Sequence, residues 1–181
     1  MGEDRRRSIY LVPWRVDLVV RDGIKVRVPG SELARQVASA LVASGAPSPG
    51  SVTIVLSDDE ELAELNREHM GIDGPTDVLS FPMLSPEAFL RKDRDDPGPR
   101  QKNPPRLAPR DRTHIGDIAI WVERAIDQAE QGRGGQTGDV RWSAADELRL
   151  LVTHGTLHLC GWDHAEPGEE AAMRALEKHL L

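Results

Sequence analysis

Residues 154–164 read HGTLHLCGWDH and set His154, His158 and His164 in the spacing H-x3-H-x5-H. On an α-helix, His154 and His158 project from one face about 40° apart around the axis, close enough to share an ion. Gly161 follows the second histidine at a position where a left-handed conformation would end the helix and bring His164 back from the other side. Three imidazoles leave the fourth position of a tetrahedral zinc open to water, the arrangement of a catalytic rather than a structural site. An isolated pair of histidines one helical turn apart is ordinarily surface or core decoration. Here half of the 6 histidines of the chain fall in one window, with glycine at the turn and an apolar helix leading in, and the whole reads as a site for one zinc ion. Cys160 lies on another side of that helix and reads as a small core residue.

The elements that must position this window are legible from periodicity. Ser143 and Asp146 form an S-x-x-D capping signal for a long helix through Leu148, Leu151, Val152 and Leu159, so the first two histidines sit on a core helix. Upstream, VDLVVRDG and KVRV alternate as short strands around a turn at Asp22-Gly23. A helix follows from Ser31 with Leu33, Val37, Leu41 and Val42 at helical spacing, ending at Gly45. SVTIVLS is a buried strand; Asp58 caps the helix DEELAELNREHM; TDVLSFP is a strand whose Pro82 confines its end to a sheet edge. GDIAIWV, residues 116–122, is a strand running into the helix ERAIDQAEQ, which the glycines at 132, 134 and 135 end. Pro167 and the pair Glu169-Glu170 start a closing helix with Lys178 and His179 in its last turn, matching the macrodipole at both ends. Residues 1–10 are expected to be a flexible tail, and the proline-rich, charged stretch 85–113 a mobile insertion loop in a single domain spanning 1–181.

Composition bounds the rest. A chain of 181 residues with 39% apolar residues can bury a core as one domain, and a single cysteine excludes an internal disulfide framework and fits a reducing cytoplasm. SIYLVPW is too short for a signal segment, no apolar run is long enough for a membrane span, and a cytoplasmic location is expected. The net charge of −7 does not announce a nucleic-acid binder. Arg5, Arg6 and Arg7, and the basic residues between Arg91 and Arg112, could contact phosphate or be a frayed terminus and a solvated loop.

The histidine window aligns with the zinc-protease pattern H-E-x-x-H-x-x-G-x-x-H except that Gly155 stands at the glutamate. The usual general base is therefore missing. A mid-helix glycine costs roughly 1 kcal/mol against alanine, so close approach of a substrate or a neighbouring element is expected at that point. Hydroxide from zinc-bound water and a polarised phosphoryl oxygen would still serve phosphodiester cleavage.

Three blocks, HGTLHLCGWDH, LNREHMGIDGPTDVLSFP at 65–82 and GDIAIWVERAIDQAEQ at 116–131, together resemble the YbeY endoribonucleases, single-strand-specific, metal-dependent bacterial ribonucleases also described as rRNA maturation factors. The resemblance implies an α+β fold, a small mixed β-sheet packed by helices, with zinc held by His154, His158 and His164 on a core helix followed by a glycine turn. It further implies a role in maturation of the small-subunit rRNA 3′ end and in ribosome quality control. The partners implied are single-stranded RNA and ribosomal RNA precursors, with the ribosome or ribosomal proteins in attendance; no membrane partner or DNA specificity is expected. Two departures stand out. Where many members carry an arginine proposed to contact RNA phosphate, this chain has Met70, and Arg67 on the same helix is the candidate to supply that charge. The 85–113 stretch is also longer than in many members.

Four further residues carry two readings each. Asp163 could orient His164 or accept a proton, or serve a cap or turn. Asp77 and Asp117 could face a cleft or hold strand entrances, and His114 could flank the site or be a loop histidine. Two competing functions remain: a metallopeptidase binding peptide along the edge strand near Pro82, against which Gly155 argues, and a non-catalytic ribosome-associated protein with a structural metal.

Overall fold

The computed structural model describes residues 2–89, 111–131, 142–163 and 166–181. The strands are β1 (Arg5–Leu11), β2 (Trp14–Val20), β3 (Gly50–Ser57), β4 (Val78–Pro82) and β5 (Thr113–Trp121). Among the described residues the α-helices are α1 (Gly30–Ala43), α2 (Asp59–Leu65), α3 (Val122–Glu130), α4 (Ala144–Leu159) and α5 (Pro167–Leu180). The 5-stranded sheet has the order β1-β2-β3-β5-β4, with the three central strands parallel and both edges antiparallel. This is the α+β, mixed-sheet architecture expected.

Alternation decides which face is which. Val16, Leu18 and Val20 of β2, Val52, Ile54 and Leu56 of β3, and Ile118 and Ile120 of β5 are buried in one cluster with Leu33, Val37 and Leu41 of α1 and Leu148, Leu151 and Val152 of α4. Each such side chain contributes about 1.5–3 kcal/mol on leaving water. On the opposite face Leu62 of α2 packs with Leu79 and Ala119 in a smaller cluster. Helix α4 touches the sheet through β4 and β5 and also packs on α1, α3 and α5. It is therefore buried on several sides, and the two histidines ride on one of the most enclosed elements of the molecule.

Two expectations differ from the structure. KVRV, residues 25–28, is not a strand: β2 pairs with β1 on one side and β3 on the other, so neither edge is open to it. The flanking basic segment at Arg5–Arg7 is accordingly the start of β1, not part of a loose tail, and Arg5 Nη2 donates to the carbonyl of Ile24 at 2.7 Å. The missed strand has no fully buried side chain, and only Ile9 and Leu11 at its end are apolar and partly buried against the core, which is why its basic first half read as a tail. The helix expected through Met70 divides into α2 and one π turn, Asn66–Met70, closing at Gly71. Of the 85–113 stretch, Pro86–Ala88 forms a 3-10 turn and Phe89 packs into the core, while 90–110 lie outside the described residues, as does the glycine-rich connection at 132–141.

Candidate active site

Helix α4 begins at a capping box: Ser143 Oγ accepts from the Asp146 N–H at 3.2 Å, and Asp146 Oδ2 accepts from the Ser143 N–H at 2.9 Å. Its other end is a Schellman turn. The N–H of Gly161 donates to His158 O at 2.9 Å, that of Trp162 donates to Leu157 O at 3.1 Å, and Gly161 takes the left-handed φ of 75° for which glycine is the natural occupant. Trp162 is thereby folded into the core, its indole N–H donating to Ser44 Oγ at 3.1 Å.

That turn also orients the second histidine. His158 Nδ1 lies 2.9 Å from the carbonyl of Trp162, and His154 Nδ1 lies 2.6 Å from Glu177 Oε1 on α5. Both partners are acceptors, so each Nδ1 is the nitrogen that donates and each Nε2 is left to present a lone pair. The two Nε2 atoms are 3.0 Å apart, the rings crossing at 80°. Two lone pairs at that separation need a positive charge between them, a proton or a metal ion, and paired imidazole nitrogens suit zinc among the common ions. The donor set described therefore fits a metal. His164, the expected third ligand, lies outside the described residues, and among the described residues no group of three His, Cys, Asp or Glu side chains gathers on its own.

The histidines open on a cleft of about 590 Å³ whose walls include Met70, Asp77, Ser80, Pro82, Trp162 and Asp163. Its described lining contains no lysine or arginine. Asp163 is exposed at this cleft. Asp77 shares both of its expected roles: it borders the cleft, and its Oδ1 and Oδ2 accept from the Val78 N–H at 3.0 Å and from Gln128 Nε2 at 3.3 Å. Glu147, one α4 turn from the cap, is buried and accepts from the Trp142 indole at 2.5 Å. Burial raises its carboxyl above the ordinary range and the Asp77 charge pushes the same way, against the lowering effect of Trp142.

Arg67 is exposed on the π turn and is not part of the cleft wall that Met70 joins. His114 and Asp117 belong elsewhere: His114 Nε2 is 2.9 Å from Asp117 Oδ1 and its Nδ1 is 3.2 Å from Ser51 Oγ, while Asp117 borders a separate cleft with Arg6, His69 and Phe81. Cys160 is fully buried, as a core residue should be. Gly155 faces the sheet. A Cβ there would lie 2.8 Å from Ile118 Cγ2 and 3.2 Å from Ser80 Oγ, so the neighbouring element that needs glycine is β5 with β4. Sequence reasoning missed Glu177; its signal is a glutamate set in the apolar stripe of Met173, Leu176 and Leu180.

A mixed sheet carrying an oriented histidine pair at the floor of a cleft defines an α+β protein with a candidate hydrolytic centre. The chain belongs to the Endoribonuclease YbeY family, whose model matches residues 24–181. It is 38% identical over 154 residues to Endoribonuclease YbeY of Symbiobacterium thermophilum, covering 83% of each chain. It is 40% identical over 130 residues to Endoribonuclease YbeY of a Mycobacterium species, strain KMS, covering 72% of this chain and 62% of that one. A solution structure of TM1509 from Thermotoga maritima aligns over 91% of this chain and 85% of that chain at 22% identity with a TM-score of 0.48, and adds nothing to the assignment. Membership places the chain among RNA-hydrolysing nucleases.

Proposed function

We propose that this protein is a zinc-dependent endoribonuclease that cleaves single-stranded RNA during ribosomal RNA processing, at the 3′ end of the small-subunit RNA, and in ribosome quality control. The observation that carries the reading is the convergence of His154 and His158 Nε2 at 3.0 Å beside a cleft, with both Nδ1 atoms engaged by fixed acceptors. His154, His158 and His164 would hold the ion, which supplies Lewis acidity toward a phosphoryl oxygen and hydroxide near neutral pH.

The chain's own groups divide the remaining work. Asp163, at the cleft, accepts the proton of the attacking water on a carboxylate oxygen. The apolar wall of Met70, Val78, Pro82 and Trp162 takes the nucleoside face of a strand whose bases are unstacked, which is the physical reason to favour single strands. Arg67, exposed beyond the cleft, contacts an outlying phosphate. A cytoplasmic setting suits this substrate, and no helix among the described residues is long and apolar enough to cross a membrane.

The metallopeptidase alternative loses its chemistry at Gly155. The position that carries the acid/base glutamate in the peptidase pattern is packed against Ile118 and Ser80, with no room for a side chain. The test is to strip the protein with chelator, restore zinc, and offer a small-subunit rRNA 3′ fragment as single strand and as duplex. Zinc-dependent cleavage of the single strand is expected; cleavage indifferent to zinc, or of the duplex alone, contradicts the reading.

A further inference from the structure

We propose that Glu177 is a positioning residue for the histidine site: its buried carboxylate dictates which nitrogen of His154 is offered to a divalent cation, and so couples the docking of α5 to metal affinity. This rests on the reading of His154 and His158 as metal ligands.

Helix α5 turns Met173, Leu176 and Leu180 toward the core. Glu177 stands on the same stripe, where an apolar residue is the expected occupant, and its side chain is only 5% exposed. A carboxylate removed from water is strongly unfavourable unless it is paired. Its partner is His154 Nδ1 at 2.6 Å. Merely fastening α5 to α4 would not need this pair, since apolar side chains of similar volume fasten two helices as well. What the carboxylate adds is direction. It accepts only, so it holds the proton on Nδ1 and leaves Nε2 as the donor atom.

The second ring shows the same device built independently. His158 is held by the carbonyl of Trp162, from the turn after α4, and presents the same Nε2. Two acceptors from separate elements thus impose one orientation on both rings, with the Nε2 atoms 3.0 Å apart. Loss of Glu177 removes the acceptor that fixes the His154 Nδ1 proton, while the carbonyl that holds His158 is untouched.

The experiment is titration of zinc into the full-length protein in competition with a chromogenic chelator, for wild type, Glu177→Gln and Glu170→Gln. Glu177→Gln is expected to bind about 10–100-fold more weakly while keeping its circular dichroism and metal-free Tm, because outer partners of ligand histidines have effects of that size. Glu170, on the same helix but paired with Arg174 near its surface, is expected to leave affinity unchanged when replaced. Equal zinc affinity of wild type and folded Glu177→Gln would overturn the role of Glu177 alone, as would an equal loss in Glu170→Gln. Failure of wild type itself to bind zinc would overturn the metal reading and this inference with it. If Glu177→Gln does not fold, long-range proton–nitrogen NMR of the metal-free wild type decides: a proton on His154 Nδ1 supports the role and a bare Nδ1 contradicts it.

Discussion

Ser80 Oγ on β4 donates to the carbonyl of Gly155 on α4 at 3.0 Å, fastening the edge strand to the helix that carries the histidines. The contact is possible because Gly155 has no side chain: the carbonyl is reached where a Cβ would crowd Ile118, Ser80 and Val78.

Gly155→Ala therefore sets two effects against each other. Alanine gains about 1 kcal/mol of helix propensity, whereas overpacking against a β-branched side chain fixed in a central strand costs about 1–3 kcal/mol. The expected result is a net loss of about 1 kcal/mol in urea unfolding, together with reduced cleavage as α4 shifts from β4. An alanine variant more stable than wild type would show that the close approach has no energetic consequence.

Glu147 makes stability depend on pH. Burial, with Asp77 adding to it, raises its folded-state carboxyl above the ordinary 4.5 of the unfolded chain. Between those two values the native state holds a proton that the unfolded chain has lost, so this group's contribution to stability falls as pH rises through the window. Glu147→Gln keeps an acceptor for the Trp142 indole and removes the charge. Its Tm is expected to exceed that of wild type at pH values above the raised folded-state pKa, with the advantage vanishing below the ordinary 4.5. A Tm difference that is constant with pH would contradict this.

How much of this was legible in the sequence follows from what each element needs. Helix α4, its Ser143 cap, its Gly161 turn and the histidine pair were readable because capping and turn residues act locally and at fixed offsets. Strand β1 was not, since its apolar alternation is confined to Ile9 and Leu11 after a run of exposed arginines, and pairing with β2 is what defines it. Asp117 and His114 could be named as polar residues next to a strand, but which face they occupy depends on register, which sets His114 beside Ser51 and Asp117 beside Thr53 of β3 and brings Asp117 to a separate cleft. Glu177 is far from the window along the chain, and only the packing of α5 brings it to His154.

The cleft wall lacks lysine and arginine among the described residues, which bears on salt dependence. Each phosphate contact to single-stranded nucleic acid contributes a slope of about −0.7 to log affinity against log salt. Met70→Arg is expected to steepen the slope for RNA binding by about 0.7, and Arg67→Ala to flatten it by about the same amount. Slopes unchanged in Arg67→Ala would remove Arg67 from the interface, and an unchanged slope in Met70→Arg would place Met70 away from the phosphates.

The most direct test of the central claim is cleavage of a single-stranded small-subunit rRNA 3′ fragment by zinc-loaded wild type beside His158→Ala, purified identically and assayed at one salt concentration. His158 supplies one of the two converging Nε2 atoms, so its loss is expected to abolish cleavage while the core of α4, built from Leu148, Leu151 and Val152, keeps the fold. Cleavage by folded His158→Ala at the wild-type rate would contradict the assignment of RNA hydrolysis to the histidine site.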